Sequence, residues 1–118
     1  MKLMLVFTGG GLGCLARWAI GLLVQAFGIA GLPVATFVSN AISCGIMAIM
    51  LRFFEPTAFN TELRLLVFTG FCGGLSTFST FSLENIELLK NGNYAWAAGN
   101  VLLSLLMCFG ILYWGLRR

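Results

Sequence analysis

Histidine is absent from this chain, and charge is scarce: Asp, Glu, Lys and Arg make up 9% of its 118 residues, against roughly 25% in soluble domains. Without an imidazole there is no histidine ligand or base, which removes the commonest zinc sites and catalysis of the Ser-His-Asp type. The four cysteines, Cys14, Cys44, Cys72 and Cys108, fall one to each apolar segment and show no C-x-x-C spacing. That pattern argues against a disulfide framework or a zinc site. It reads as small, weakly polar filler, with one or two thiols free to line a pore. Net charge is +3, too small and too closely tied to segment ends to mark a nucleic-acid partner; basic residues flanking apolar segments usually set orientation. With no nucleotide motif, metal cluster or catalytic triad, the chain does not read as an enzyme.

What is abundant is apolar sequence. Hydrophobic residues make up 59% of the chain and its mean hydropathy is +0.96, the composition of an integral membrane protein. A helix crosses a hydrocarbon core of roughly 30 Å with about 20 mainly apolar residues. Four stretches meet that length, approximately 3–27, 33–54, 63–89 and 94–116. The connections between them carry breaker residues: Gly28 to Leu32, the Glu55 to Glu62 stretch with Pro56 and Asn60, and Asn91-Gly92-Asn93. The expectation is an all-α, single four-helix membrane domain over residues 1–118. The apolar run after Lys2 imitates a signal peptide, but Arg17 follows closely and no small-x-small cleavage site is convincing. Four spans place both termini on one side. Lys2, Arg52, Arg64, Arg117 and Arg118 then share that side against Lys90 and Arg17, which favours cytoplasmic termini.

Polar residues inside these spans are the candidates for function, because every such group must find a partner in hydrocarbon. The stretch Gly70 to Glu84 concentrates them: three glycines, then Ser76, Thr77, Ser79, Thr80, Ser82 and Glu84, with Phe78 and Phe81 between. Gly73-Gly74 followed by Ser76-Thr77 is poor helix material, so the third helix is expected to break near its middle. A break there either exposes carbonyl oxygens to a small cation or is a simple packing kink. Thr36, Asn40 and Cys44 recur every fourth residue in span 2, and Asn100, Ser104 and Cys108 do so in span 4, giving two matching polar stripes. Asn40, roughly 10 Å inside its helix, either glues helices together or lines a conduction path. Arg17 lies about 21 Å along span 1, either snorkelling to headgroups or facing an aqueous vestibule. Glycines at 9, 10, 11 and 13 read as a helix-packing face. By spacing alone, Phe78 and Phe81 are ordinary packing rings.

Taken together, Gly9-Gly10-x-x-Gly13-x-x-x-Arg17-Trp18, Thr36-x-x-x-Asn40 and Gly70-x-Cys72-Gly73-Gly74-x-Ser76-Thr77-Phe78-Ser79-Thr80-Phe81-Ser82-x-Glu84 closely resemble the Fluc/CrcB fluoride-channel family over essentially the whole chain. The resemblance implies a fluoride-selective channel for passive fluoride efflux that protects a cell from fluoride toxicity, in a bacterial plasma or inner membrane. It implies an antiparallel, dual-topology homodimer with two pores, with fluoride and membrane lipid as partners and no nucleic acid. By position, Asn40 would line the pore, Phe78 and Phe81 would form an aromatic box, and Ser79 and Thr80 would add hydroxyls. Asn100, Ser104 and Cys108 would form a polar track, Arg17 would sit in a vestibule, and the backbone carbonyls of Gly73 and Ser76 would hold a structural sodium ion at the dimer interface.

The chemistry suits a small, strongly hydrated anion: neutral amide and hydroxyl donors replace water without a cation that traps the ion, and aromatic ring edges carry positive potential. Two departures stand out. The basic-residue bias is larger than a dual-topology subunit needs, which leaves room for pairing with an oppositely oriented homologue. Cys108 also stands where the family pattern has a hydroxyl. The rival reading is a small multidrug-type proton-coupled exporter of the same four-helix antiparallel architecture. Such exporters carry a glutamate in span 1, which has none here, leaving Glu84 as the remaining candidate for proton coupling.

Overall fold

The computed structural model describes residues 1–54, 57 and 59–117; Glu55 and Pro56 of the second connection, and Arg118 of the basic count, lie outside them. Among the described residues, four helical stretches are long and apolar enough to cross a membrane: span 1, Lys2–Ala26; span 2, Val34–Phe53; span 3, Thr61–Lys90; and span 4, Tyr94–Leu116. Among the described residues all regular structure is helical, and the longest dimension is 48 Å, enough to cross both headgroup layers. The chain is a multi-pass membrane protein.

The connections end helices as their residues dictate. Gly28 (φ 75°) and Gly92 (φ 77°) take the left-handed backbone that follows spans 1 and 3, a conformation that only glycine adopts freely. Pro33 stands at the residue before span 2, its carbonyl accepting the Phe37 N–H at 3.1 Å. Asn60 starts span 3 by accepting the Leu63 N–H on its side chain at 2.8 Å, the ordinary role of an amide at a helix N-terminus. From Arg64 to Cys72 the third span then widens to π-type turns, which its sequence does not announce.

Packing inverts the soluble pattern. Apart from Leu75, Leu88 and Phe59, the buried residues are small or polar, among them Ser39, Ser43, Ala48, Cys72, Asn85, Ala97 and Ser104, whereas Leu12, Trp18, Leu102, Leu106 and Phe109 face outward. With lipid as apolar as leucine, association rests on close van der Waals contact and hydrogen bonds. Span 1 packs chiefly on the first half of span 3, and span 2 chiefly on span 4. The first contact is backbone to backbone. A Cβ on Gly9 would collide with Leu66 O, one on Gly13 with Phe71 O, and one on Gly74 with Gly10 O. Gly115 approaches Ala48 in the same way in the second contact. At that end Arg52 ties spans 2 and 4 together. Its guanidinium donates to Trp114 O at 3.2 Å and Arg117 O at 2.7 Å and lies 4.6 Å from the Trp114 ring centroid, satisfying carbonyls that a helix C-terminus leaves open.

The glycine contact carries a prediction. Gly13→Ala is expected to destabilise the protein by at least the about 1–3 kcal/mol of ordinary overpacking, since the obstruction is backbone rather than a movable side chain. Gly11→Ala, whose added carbon meets nothing within 4 Å, serves as the control. The measure is the fraction that stays monodisperse in detergent after heating; equal curves for the two variants would remove this close approach as a determinant of the fold.

Candidate functional site

Span 3 changes backbone conformation at Ser76 (φ −78°, ψ 155°) and Thr77 (φ −153°, ψ 126°), between helical Gly73–Leu75 and Phe78–Lys90. Local chemistry sets both edges of this step. On the first side, Cys72 O accepts three donors: Ser76 N–H at 2.9 Å, Ser76 Oγ at 2.8 Å and, across the interface, Ser43 Oγ at 3.0 Å. On the second side, the Thr77 hydroxyl accepts the Thr80 N–H at 3.2 Å and starts the next helix.

The extended peptide would otherwise leave unpaired groups at membrane depth, and Asn40 supplies them with partners. Its Oδ1 accepts Thr77 N–H at 2.8 Å and its Nδ2 donates to Thr77 O at 3.3 Å. One amide side chain thus replaces the neighbour that a continuing helix would have provided. Asn40 retains a second N–H on Nδ2. In turn, the Thr77 N–H that a continuous α-helix would give to Gly73 O has been drawn away.

Around this step lies a cavity of about 230 Å³, lined by Asn40 and Cys44 from span 2, Ser76, Thr77, Phe78 and Phe81 from span 3, and Ser104, Leu105 and Cys108 from span 4. None of these residues is charged. Phe78 and Phe81 lie 5.8 Å apart between centroids with an interplanar angle of 35°. Phe78 is 77% exposed in the single subunit, so its ring faces outward from the cavity wall. The two polar stripes meet here because spans 2 and 4 run in the same direction, side by side, placing Asn40 and Cys44 opposite Ser104 and Cys108.

Other sequence-predicted residues fall elsewhere. Asn100 lines a neighbouring, mostly apolar cavity of about 520 Å³ with Pro33, Phe37 and Trp96. It is joined to the first cavity through Ser104, whose Oγ donates to Asn100 Oδ1 at 3.3 Å. Ser79 and Thr80 are exposed on the first turn after the step, each in hydroxyl contact with Thr77. Gly73 lies outside the cavity wall. Arg17 remains on span 1, its guanidinium 3.7 Å from Cys14 Sγ.

Three residues enter the site that the stripes alone do not select. Thr77 is one, and a hydroxyl residue directly before an apolar helical run is its sequence signal. Asn85 is another: it donates to Phe81 O at 2.7 Å and accepts from Asn100 Nδ2 at 3.1 Å, fixing the carbonyl behind one ring of the pair to span 4. Its position four residues after Phe81 is a signal visible only once Phe81 is known to matter. Ser43, the third, reaches Cys72 O from a register between the stripes.

Glu84 is set apart from the uncharged cavity. Its Oε1 accepts from Thr36 Oγ1 at 2.7 Å. Its Oε2 is buried without a hydrogen-bond partner among the described residues. It belongs to a separate polar cavity with Glu87, Asn91 and Asn93 near the end of span 3. Among the described residues, no three His, Cys, Asp or Glu side chains converge on a point that could hold a metal ion.

Comparison with known proteins places this geometry. Residues 4–116 match the profile of the family described as CrcB-like protein, Camphor Resistance (CrcB). The chain is 46% identical over 103 residues to Fluoride-specific ion channel FluC 1 of Yersinia pestis, covering 86% of this chain and 80% of that one. It is 39% identical over 121 residues to Fluoride-specific ion channel FluC of Serratia proteamaculans, covering 96% and 94%. To the protein of the same name in Gloeothece citriformis it is 37% identical over 116 residues, covering 98% and 94%. A step in the third span held by Asn40, an uncharged donor-lined cavity beside two rings, and a family match over nearly its full length together establish that this chain belongs to the CrcB family.

Proposed function

We propose that the protein is a fluoride-selective ion channel that lets fluoride leave the cell passively and so protects it from fluoride toxicity, acting as a single four-helix domain in the plasma or inner membrane of a bacterium. The observation that carries this reading is the cavity at the step: neutral amide and hydroxyl groups and two phenylalanines line it, and none of its lining residues is charged. The relatives, named as fluoride-specific channels, supply the ion. Fluoride must exchange tightly held water for hydrogen bonds, yet it must leave again; Asn40 Nδ2 and the Ser104 hydroxyl can donate without a fixed countercharge. Phe78 and Phe81 offer ring hydrogens, the positive part of the aromatic quadrupole. Ser79 and Thr80 support the step through Thr77, Asn100 extends the donor track towards Trp96, Cys108 is its weakest donor, and Arg17 raises the local anion concentration at a vestibule.

The functional unit in this reading is an antiparallel dual-topology dimer, of two copies or of one copy with an oppositely oriented homologue. A broken third span would then bring two sets of carbonyls together at the axis. Gly73 O and Ser76 O suit a structural sodium ion chemically: they are hard oxygen ligands, and Gly73 O has lost its α-helical donor because Thr77 N–H binds Asn40. When bound, such an ion supplies fixed positive charge and ties two subunits together. The chain's own part is to free Gly73 O from its helical donor by means of Asn40.

Reconstituted liposomes loaded with fluoride are expected to release it rapidly while retaining chloride. Comparable chloride efflux, or no fluoride efflux from vesicles shown to contain the protein, would sink the channel reading. Fluoride efflux that requires a proton gradient would favour an exporter working through Glu84.

A further inference from the structure

Two thiols share the wall of the cavity at the step. Cys44 of span 2 and Cys108 of span 4 both line it, and both are only half-buried. Neither of the other cysteines shares this opening: Cys72 is 1% exposed, and Cys14 lies on span 1 beside Arg17. A pair of hydroxyls here could only exchange hydrogen bonds. Two sulfurs also offer polarisable ligands of the kind that select soft metal ions. The remaining polar wall groups, Asn40, Ser76, Thr77 and Ser104, are hard amide and hydroxyl donors, and among the described residues no third thiol, carboxylate or imidazole converges with the pair. Two sulfurs alone leave tetrahedral zinc half-coordinated, but they complete the linear coordination of soft d¹⁰ ions. A divalent ion between two thiolates is also net neutral, which avoids the desolvation cost of a lone charge at this depth.

We propose that Cys44 and Cys108 form a two-coordinate site for soft, thiol-seeking metal ions, and that an ion held there closes the passage beside Phe78 and Phe81. Binding forms two sulfur–metal bonds and releases two thiol protons to water, with no change of oxidation state. The block rests on the channel reading of this cavity; the binding does not.

The probe is Hg²⁺, supplied as mercuric chloride to protein carrying Cys14→Ser so that the exposed thiol on span 1 does not compete. In detergent, mercury–thiolate absorbance is expected to saturate at one ion per subunit with two protons released. Cys44→Ser or Cys108→Ser is expected to weaken binding by at least about a hundredfold, beyond the about 10–100-fold that loss of an outer-shell partner costs. In liposomes the same ion should stop fluoride efflux, with recovery on adding dithiothreitol. Independently of any cavity variant, Hg²⁺ should protect both Cys44 and Cys108 from alkylation by N-ethylmaleimide, read by peptide mass spectrometry. Unchanged affinity in the two serine variants, or protection of only one cysteine or neither, overturns the site. Fluoride-selective flux that Hg²⁺ leaves untouched overturns the block while the channel reading stands; mercury binding by a protein that conducts no fluoride overturns the channel reading, and the block with it, while the metal site stands.

Discussion

Asn40→Ala is expected to abolish fluoride efflux and to cost about 2–6 kcal/mol of stability, because it leaves both Thr77 N–H and Thr77 O without partners at about 1–3 kcal/mol for each buried group. Thr77 is 9% exposed, so water cannot fully replace the amide. Asn40→Leu separates hydrogen bonding from volume: it fills the space but pairs neither group, and should fall as far. Thermal unfolding in detergent and efflux from liposomes are read on the same preparations. Should Asn40→Ala melt like the parent, Asn40 does not hold the step. Should it melt early yet conduct normally, the step does not matter to conduction.

Phe78→Ile and Phe81→Ile are each expected to cut fluoride efflux by about tenfold or more, which requires the loss of only about 1.4 kcal/mol of barrier stabilisation. Isoleucine keeps apolar bulk but has no quadrupole, so only the ring edge is removed. The two positions should differ in stability. Phe78 is 77% exposed in the subunit and its replacement should leave unfolding unchanged. Phe81, by contrast, is half-buried, so replacing its ring should cost some stability too. Unchanged flux in both variants would return the pair to ordinary packing.

Much of the fold was legible in the chain because a bilayer accepts few solutions. Uncharged runs of this length must be helical, since a helix alone satisfies every backbone group within a single segment. Span limits read from composition differ from those in the structure by at most two residues, as frayed ends allow. The glycines at 9 and 13 read correctly as a packing face, because only hydrogen side chains permit carbonyls such as Leu66 O and Phe71 O so close. The π-widened segment from Arg64 to Cys72 was not legible, as its residues are mostly ordinary apolar ones that carry no signal for the wider turn.

The site divides in the same way. Residue types and four-residue spacing were enough to nominate Asn40, Ser104 and Cys108 as polar groups inside spans, and helix propensity alone made Gly73 to Thr77 suspect. That Asn40 closes on Thr77, that Asn85 rather than a stripe residue fixes the Phe81 carbonyl, and that Asn100 opens into a second cavity were decided by the tertiary structure. The physical reason is range. Periodicity reports which face of one helix a residue occupies, through interactions spanning four residues, whereas Asn40 and Thr77 are separated by 37 residues. Which of two polar faces meets the extended backbone at Ser76 and Thr77 depends on how spans 2, 3 and 4 pack. The chain alone determined that buried amides and hydroxyls in hydrocarbon would need partners; only packing assigned each its partner.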